Sequence, residues 1–253
     1  TMSHQIFICF AAEDRYKIAE PIMYHLENYG IRTWYDRHKL LMGDNRVQKN
    51  LNEGAAKCQY ALVIISKDTE QSMCAMEEIS VIKERCKNGD VTIFPVLYEM
   101  LPSDIPYSLQ WIKKFIFKEV NRHSGTLEIC NHIACKITSD MIALCPYKTI
   151  HDILSYSASV CPLLHSLLCK YQGIDNNNLN SRVTMLYATY LVIIYSTNIY
   201  NNSTTHLISA IFERLFSETQ LNLNIDYREL WLLENSLCLL ANSYFASCTE
   251  SII

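Results

Sequence analysis

Five short apolar runs separated by segments of helical periodicity constrain this chain more tightly than anything else in it. They are Ile6 to Phe10, Ile31 to Tyr35, Tyr60 to Ile65, Val91 to Leu97 and Phe115 to Phe117. The third reads Tyr-Ala-Leu-Val-Ile-Ile, without the polar alternation of a strand that has one wet face, so it is expected to be buried on both sides. Between the runs, Tyr16 to Tyr29 carries Ile18, Ile22, Leu26 and Tyr29 at helical spacing and stops at Gly30, the usual residue just past a helix end. Val47 to Cys58 reads as a helix. Cys74 to Cys86 does too, with Ile79, Ile82 and Cys86 on one side, and Leu127 to Leu144 carries Cys130, Ile133, Ile137, Met141 and Leu144 in one stripe. Continuous apolar strands alternating with helices require a parallel sheet covered on both faces. The expected fold of residues 1–146 is therefore α/β.

Composition shifts after Pro146. Residues 147–253 hold 5 Lys+Arg and 8 Asp+Glu, against 17 and 18 before them, and no run there alternates with period two. Four helical segments are expected instead: His151 to Tyr171 with a break at Pro162, Arg182 to Tyr200, Thr205 to Phe216, and Tyr227 to Ser247. Asp226 followed by Glu229 resembles a capping box. Gln172 to Asn180, rich in Asn, reads as a loop. The second part is thus a small all-α domain, and its wide apolar arcs point to self-association or sensing.

At 253 residues the chain has room for two cores, and a formal net charge of -4 advertises neither nucleic acid nor an acidic membrane. Eleven cysteines without framework spacing read as reduced thiols of a cytoplasmic protein. Thr1-Met2-Ser3-His4 enters the first apolar run without the layout of a secretory leader. Val183 to Tyr200 is nominally long enough to span a bilayer, but Thr184, Thr189, Ser196, Thr197 and Asn198 dilute it, so a buried helix is expected. The sequons in Asn201-Asn202-Ser203-Thr204 carry no meaning in such a compartment. Cys130, His132 and Cys135 do not share a helix face, so no metal site is expected. The first strand leads into Ala11-Ala12-Glu13-Asp14, not a glycine-rich turn, which argues against a hydride-transferring dinucleotide enzyme. No P-loop or nucleophile elbow is present.

Four segments then fall into a pattern. Phe7-Ile8-Cys9-Phe10 is followed by the acidic pair Glu13-Asp14. Gly30-Ile31-Arg32-Thr33-Trp34-Tyr35-Asp36 continues to Leu40 and Gly43. Gln71-Ser72-Met73-Cys74-Ala75-Met76-Glu77 places a glutamate three residues after a cysteine. Pro102, Ile105-Pro106 and Leu109 precede the last apolar run. In order and spacing these resemble TIR domains over about residues 5–144. The resemblance implies a flavodoxin-like parallel sheet and, in family members that degrade NAD, cleavage of the nicotinamide–ribose bond. It implies NAD as a substrate, with no cofactor, and nicotinamide plus ADP-ribose or a cyclic isomer as products. Glu77 is implied as catalytic, because a carboxylate can stabilise the positive charge that develops on the ribose as the bond breaks.

Phe10, Ala11, Asp36, Leu40, Gly43, Met73 and Cys74 are implied as substrate-binding positions. Two of them depart from the pattern: Ala11 stands where a basic residue is common, and Met73 where a tryptophan is. Arg15, Arg37, Lys39 and Arg46 are cations near the same loops. The resemblance further implies homo-oligomers through TIR–TIR contacts made by the Asp36 to Gly43 loop, and a downstream effector that senses the product. Together with the helical part, the chain resembles an antiphage-defence TIR protein of the Thoeris type. The competing reading is a catalytically silent scaffold that acts through the same loop, with Glu77 vestigial.

Overall fold

The computed structural model describes residues 5–196, 203–220 and 225–250. Residues 1–4, the Asn201-Asn202 sequons and the end of the helix expected to reach Tyr200 lie outside them. The chain divides into two compact units, the first ending at Cys130 and the second beginning at Asn131.

In the first unit five strands form one parallel sheet: β1 (Gln5–Cys9), β2 (Arg32–Trp34), β3 (Tyr60–Ile65), β4 (Thr92–Tyr98) and β5 (Lys118–Val120). Their order is β2-β1-β3-β4-β5, the doubly wound arrangement expected of a flavodoxin-like sheet. In register, Ile6 pairs with Thr33 on one side and Tyr60 on the other. Every residue of β3 is buried, as its unbroken apolar run required. The fifth strand lies just after the triplet expected to form it. Ile116 is 94% exposed, and the backbone pairing with β4 begins only where Lys118 meets Val96. At a sheet edge an apolar triplet is not forced inward, so its composition misplaces the strand.

The helix expected over Tyr16 to Tyr29 is built in two parts, wide π-type turns at Arg15–Ala19 and then α1 (Glu20–Asn28). Pro21 supplies no N–H to bond the carbonyl one turn earlier, which favours the looser winding before it. A single turn, α2 (Asp36–Lys39), follows β2, and a π-type helix spans Val47–Ala55. Next comes α3 (Met73–Lys87), and α4 (Leu127–Ala143) runs from the first unit into the second. The core beneath α3 joins Phe7, Cys9, Ala61, Val63 and Ile65 of the sheet to Ala75, Ile79 and Ile82.

The second unit is all-helical in its described residues: α5 (Ile150–Val160), α6 (Pro162–Gln172), α7 (Leu179–Ser196), α8 (Ser203–Gln220) and α9 (Tyr227–Glu250). The break at Pro162 and the turn after Gln172 fall where expected. At the start of α9, Glu229 accepts from the Asp226 N–H at 2.8 Å and its own N–H donates to Asp226 Oδ1 at 3.0 Å, a closed capping box. Asn131 and Cys135 of α4 bond to Glu229 and to the Arg228 carbonyl, which ties α4 beyond residue 130 to α9. Leu164, Leu168, Leu186, Tyr190, Leu233 and Leu237 are buried, whereas Leu163, expected in the same stripe, is exposed. No helix among the described residues is long and apolar enough to cross a membrane.

One close approach sets the layout of the site described below. A Cβ built at Gly54 would lie 2.7 Å from Trp34 Nε1 and 2.8 Å from Phe7 Cε2. The 47–55 helix therefore rests directly on β1 and β2, with only a hydrogen between them. Replacing Gly54 with Ala forces that helix off the sheet and should cost about 1–3 kcal/mol, the usual penalty for overpacking. Thermal melts of Gly54→Ala check it; an unchanged midpoint would mean that the contact is loose.

Candidate active site

In a doubly wound sheet, ligands bind beyond the carboxyl ends of the strands, where the winding direction reverses. Here that point is β1, whose neighbours β2 and β3 lead the chain off to opposite sides. Beyond β1 come Phe10 and Ala11, both buried. The Phe10 ring stacks on Tyr35 at 5.8 Å, and the Arg15 guanidinium lies 5.1 Å above it. Arg15 also grips Asp36 through two bonds, at 2.7 and 2.8 Å, and reaches the Tyr35 hydroxyl at 3.3 Å. This fork holds Arg15 in its charged form and fixes the start of the loop after β2.

That loop passes half-buried Leu40, then the exposed tip Leu41-Met42, and turns at Gly43. Gly43 has φ +98°, a left-handed conformation that side-chain-bearing residues rarely adopt. Asp44 closes the turn by accepting from the Leu41 N–H at 2.9 Å. Arg46 follows, immediately before the 47–55 helix.

The third contribution is the start of α3. Ser72 caps it, its hydroxyl accepting from the Ala75 N–H at 3.3 Å. The buried residues of α3 are Ala75, Glu78, Ile79 and Ile82, one face at helical spacing. Glu77 is off that face. Its side chain is 42% exposed and forms an ion pair with Arg46. Glu78, only 7% exposed, accepts from Asn50 Nδ2 at 2.5 Å, and Asn50 Oδ1 in turn accepts from Trp34 Nε1 at 3.0 Å. The Cys9 thiol, at the end of β1, donates to the Ala75 carbonyl at 3.6 Å and lies beside the Glu78 carboxyl. Burial pushes the Glu78 carboxyl up to about 7; the nearby Asp36 charge adds to this, while Cys9, Arg46 and Asn50 partly offset it. Burial likewise pushes the Cys9 thiol up, and the Glu78 charge reinforces the effect, so Cys9 is not an activated nucleophile.

Of the positions implied by the sequence motifs, the fold gathers Phe10 and Asp36 around Arg15 and sets Glu77 against Arg46. Met73 and Cys74 are exposed at the start of α3, and Ala11 is fully buried. A separate recess of about 430 Å³ opens at the carboxyl ends of β3 and β4, lined in part by Asp14, Lys17, Ser66, Lys67 and Arg122; it does not include either acid of α3. Among the described residues, no three His, Cys, Asp or Glu side chains converge as a metal site. Motif reading passed over Glu78, Asn50 and the role of Trp34. A signal for Glu78 was present, since it stands one turn before Ile82 and beside Ile79 on the apolar stripe. For Asn50 no local signal exists, because its partners lie 16 and 28 residues away.

A sequence profile for the TIR domain matches residues 6–123. Over 105 residues the chain is 27% identical to the NAD(+) hydrolase TcpA of Theionarchaea archaeon (strain DG-70-1), a match covering 42% of this chain and 32% of that protein. Over 102 residues it is 28% identical to the 2' cyclic ADP-D-ribose synthase AbTIR of Acinetobacter baumannii (strain 1295743), covering 40% and 38%. Over 105 residues it is 28% identical to the 2' cyclic ADP-D-ribose synthase BtTIR of Bacteroides thetaiotaomicron, covering 42% and 36%. The chain thus spans about a third of the length of these curated relatives.

The buried acid has a consequence for stability. With the folded-state value raised to about 7 from an ordinary 4.5, the folded chain binds more protons than the unfolded one between those limits. Stability from this group is complete below about pH 4.5 and is lost as pH rises through 7, a total of about 3 kcal/mol. Glu78→Gln removes that slope and should melt above the parent at pH 8. Parallel melts from pH 5 to 8 measure the difference, and identical slopes would show that Glu78 ionises freely.

Proposed function

We propose that this chain, whose residues 6–123 are a TIR domain, breaks the nicotinamide–ribose bond of NAD. The observation that carries this reading is the adjacent acidic pair in the first turns of α3, Glu78 lying beside Cys9 at the end of β1 and Glu77 paired with Arg46. The named activities of the relatives supply the substrate. As the bond breaks, its electron pair leaves with the pyridine nitrogen and nicotinamide departs neutral. The ribose is left with positive charge, which a carboxylate offsets. Water then adds at that carbon and loses a proton, giving ADP-ribose; attack from within the same molecule gives a cyclic isomer. Motif spacing assigns the carboxylate to Glu77, and the buried neighbour Glu78 stands in the same turn. Purified protein incubated with NAD should release nicotinamide, detected by chromatography and mass spectrometry. The double variant Glu77→Gln/Glu78→Gln should lose at least about 100-fold in rate, the scale of one charge-stabilising group. Absence of nicotinamide release by the parent chain at any concentration would refute the enzyme.

The same reading includes assembly through TIR–TIR contacts of the loop after β2. Its support is the tip itself, where Leu41 is 78% exposed and Met42 wholly so. A contact of that kind, made head to tail, builds open assemblies. The helical unit serves oligomerisation or the sensing of a trigger and supplies no catalytic group. The product acts as a cytoplasmic defence signal read by an effector. Activity should then rise faster than linearly with protein concentration, and Gly43→Pro, which cannot adopt φ +98°, should flatten that rise while the melting midpoint holds. Strict proportionality of rate to concentration would leave a self-sufficient monomer.

A further inference from the structure

We infer that the helical unit carries a ligand site of its own, a recess between α5, α6, α7 and α9 that takes a small phosphate ester bearing a flat ring, of the size of a nucleoside monophosphate. The inference goes beyond NAD cleavage and stands apart from it, because every residue that lines the recess falls between Lys148 and Cys238. The recess measures about 290 Å³, at the small end of ligand pockets, a volume suited to one ring system and one anionic group.

Two residues of its wall carry buried donors that lack acceptors. Arg182 of α7 is held on several sides. Its Nη atoms donate to the Ile174 carbonyl at 3.2 Å, Asn176 Oδ1 at 3.0 Å, the Tyr171 hydroxyl at 2.8 Å and Glu234 at 3.3 Å. The guanidinium also lies 4.3 Å over the Tyr171 ring. Its Nε is nevertheless buried with no partner, and so is Nδ2 of Asn235, a residue only 9% exposed on α9. A buried donor left unmatched costs about 1–3 kcal/mol. Leucine would fill the Asn235 position without that cost, so the amide there calls for an oxygen that the folded chain does not itself provide.

The rest of the wall fits the same ligand. The capping box of Thr149 and Asp152 satisfies two of the first N–H groups of α5. Those of Ile150 and His151 have no acceptor within the helix, and both residues line the recess, with Lys148 beside them. A helix start of this kind receives phosphate. The formal charges of Lys148 and Arg182 are matched by Glu234 and Asp152, so directed N–H groups, not net charge, hold an anion there. On α9, Trp231, Asn235 and Cys238 all line the recess, at i, i+4 and i+7, one stripe of that helix. Trp231 is 41% exposed and gives the stripe an aromatic surface on which a flat ring stacks.

The test titrates the full chain with AMP, adenosine and inorganic phosphate by calorimetry, with thermal melts of each variant. The parent should bind AMP saturably. Adenosine and phosphate, each lacking one half of the ligand, should bind at least about tenfold more weakly. Asn235→Leu should lose at least about tenfold in AMP affinity while melting no lower than the parent. Trp231→Ala should lose about tenfold through stacking, and Trp231→Tyr should recover part of that loss. No AMP binding at millimolar concentration overturns the site. So does AMP affinity that survives both Asn235→Leu and Trp231→Ala, which would put the nucleotide elsewhere on the chain. Adenosine or phosphate binding as tightly as AMP overturns the ligand class, and an Asn235→Leu chain that melts well below the parent makes the amide structural and overturns the site. None of these readouts uses NAD, so a chain that binds AMP in this way without releasing nicotinamide refutes the enzyme and keeps the inference.

Discussion

Everything at the carboxyl end of β1 depends on how near the 47–55 helix comes to the sheet. Trp34 and Phe7 leave room for a hydrogen at position 54 and nothing larger. With the helix seated there, Asn50 reaches both the Trp34 indole and the Glu78 carboxyl, and a single amide bridges β2 to α3. A polar chain of this kind holds only if each member has its partner, because an unmatched donor or acceptor in a buried setting costs about 1–3 kcal/mol. Packing at one glycine thus decides the direction of a carboxyl group two elements away.

The framework was legible because it follows from local pattern. Strands β1 to β4, the helix break before Pro162 and the capping box at Asp226 all follow from residues close together in the chain. At β5 the same reasoning misplaced the element. Its boundary is set by backbone pairing with β4, which no composition rule encodes, and the apolar triplet before it is partly left in solvent. The site was legible in outline only. Motif spacing singles out Glu77, which the fold leaves half-exposed beside Arg46, and says nothing of its neighbour. Helical phase separates the two acids, since Glu78 shares the buried face of Ala75, Ile79 and Ile82 and Glu77 does not. Asn50 and Trp34 could not be read at all, since an asparagine and a tryptophan far apart in sequence carry no sign that they meet.

The cations near the site illustrate a related limit. In the sequence Arg15 and Arg46 stand only as cations near the loops of the site. In the structure both are engaged, Arg15 by Asp36 and Arg46 by Glu77. The two pairs differ in kind. Arg15 makes a two-point fork and is also stacked on Phe10 and Tyr35, an arrangement that fixes geometry as well as charge. Arg46 meets a half-exposed glutamate, where solvent screens the attraction.

The loop between these pairs is consequently anchored at both ends with unequal strength. Asp36 is the firm post, Arg46 the weak one, and between them Leu41 and Met42 stand in water. Covering one such side chain is worth about 1.5–3 kcal/mol, whereas an exposed ion pair contributes about 1 kcal/mol at most. A partner seated on the tip therefore gains more from covering it than the release of Arg46 from Glu77 would cost.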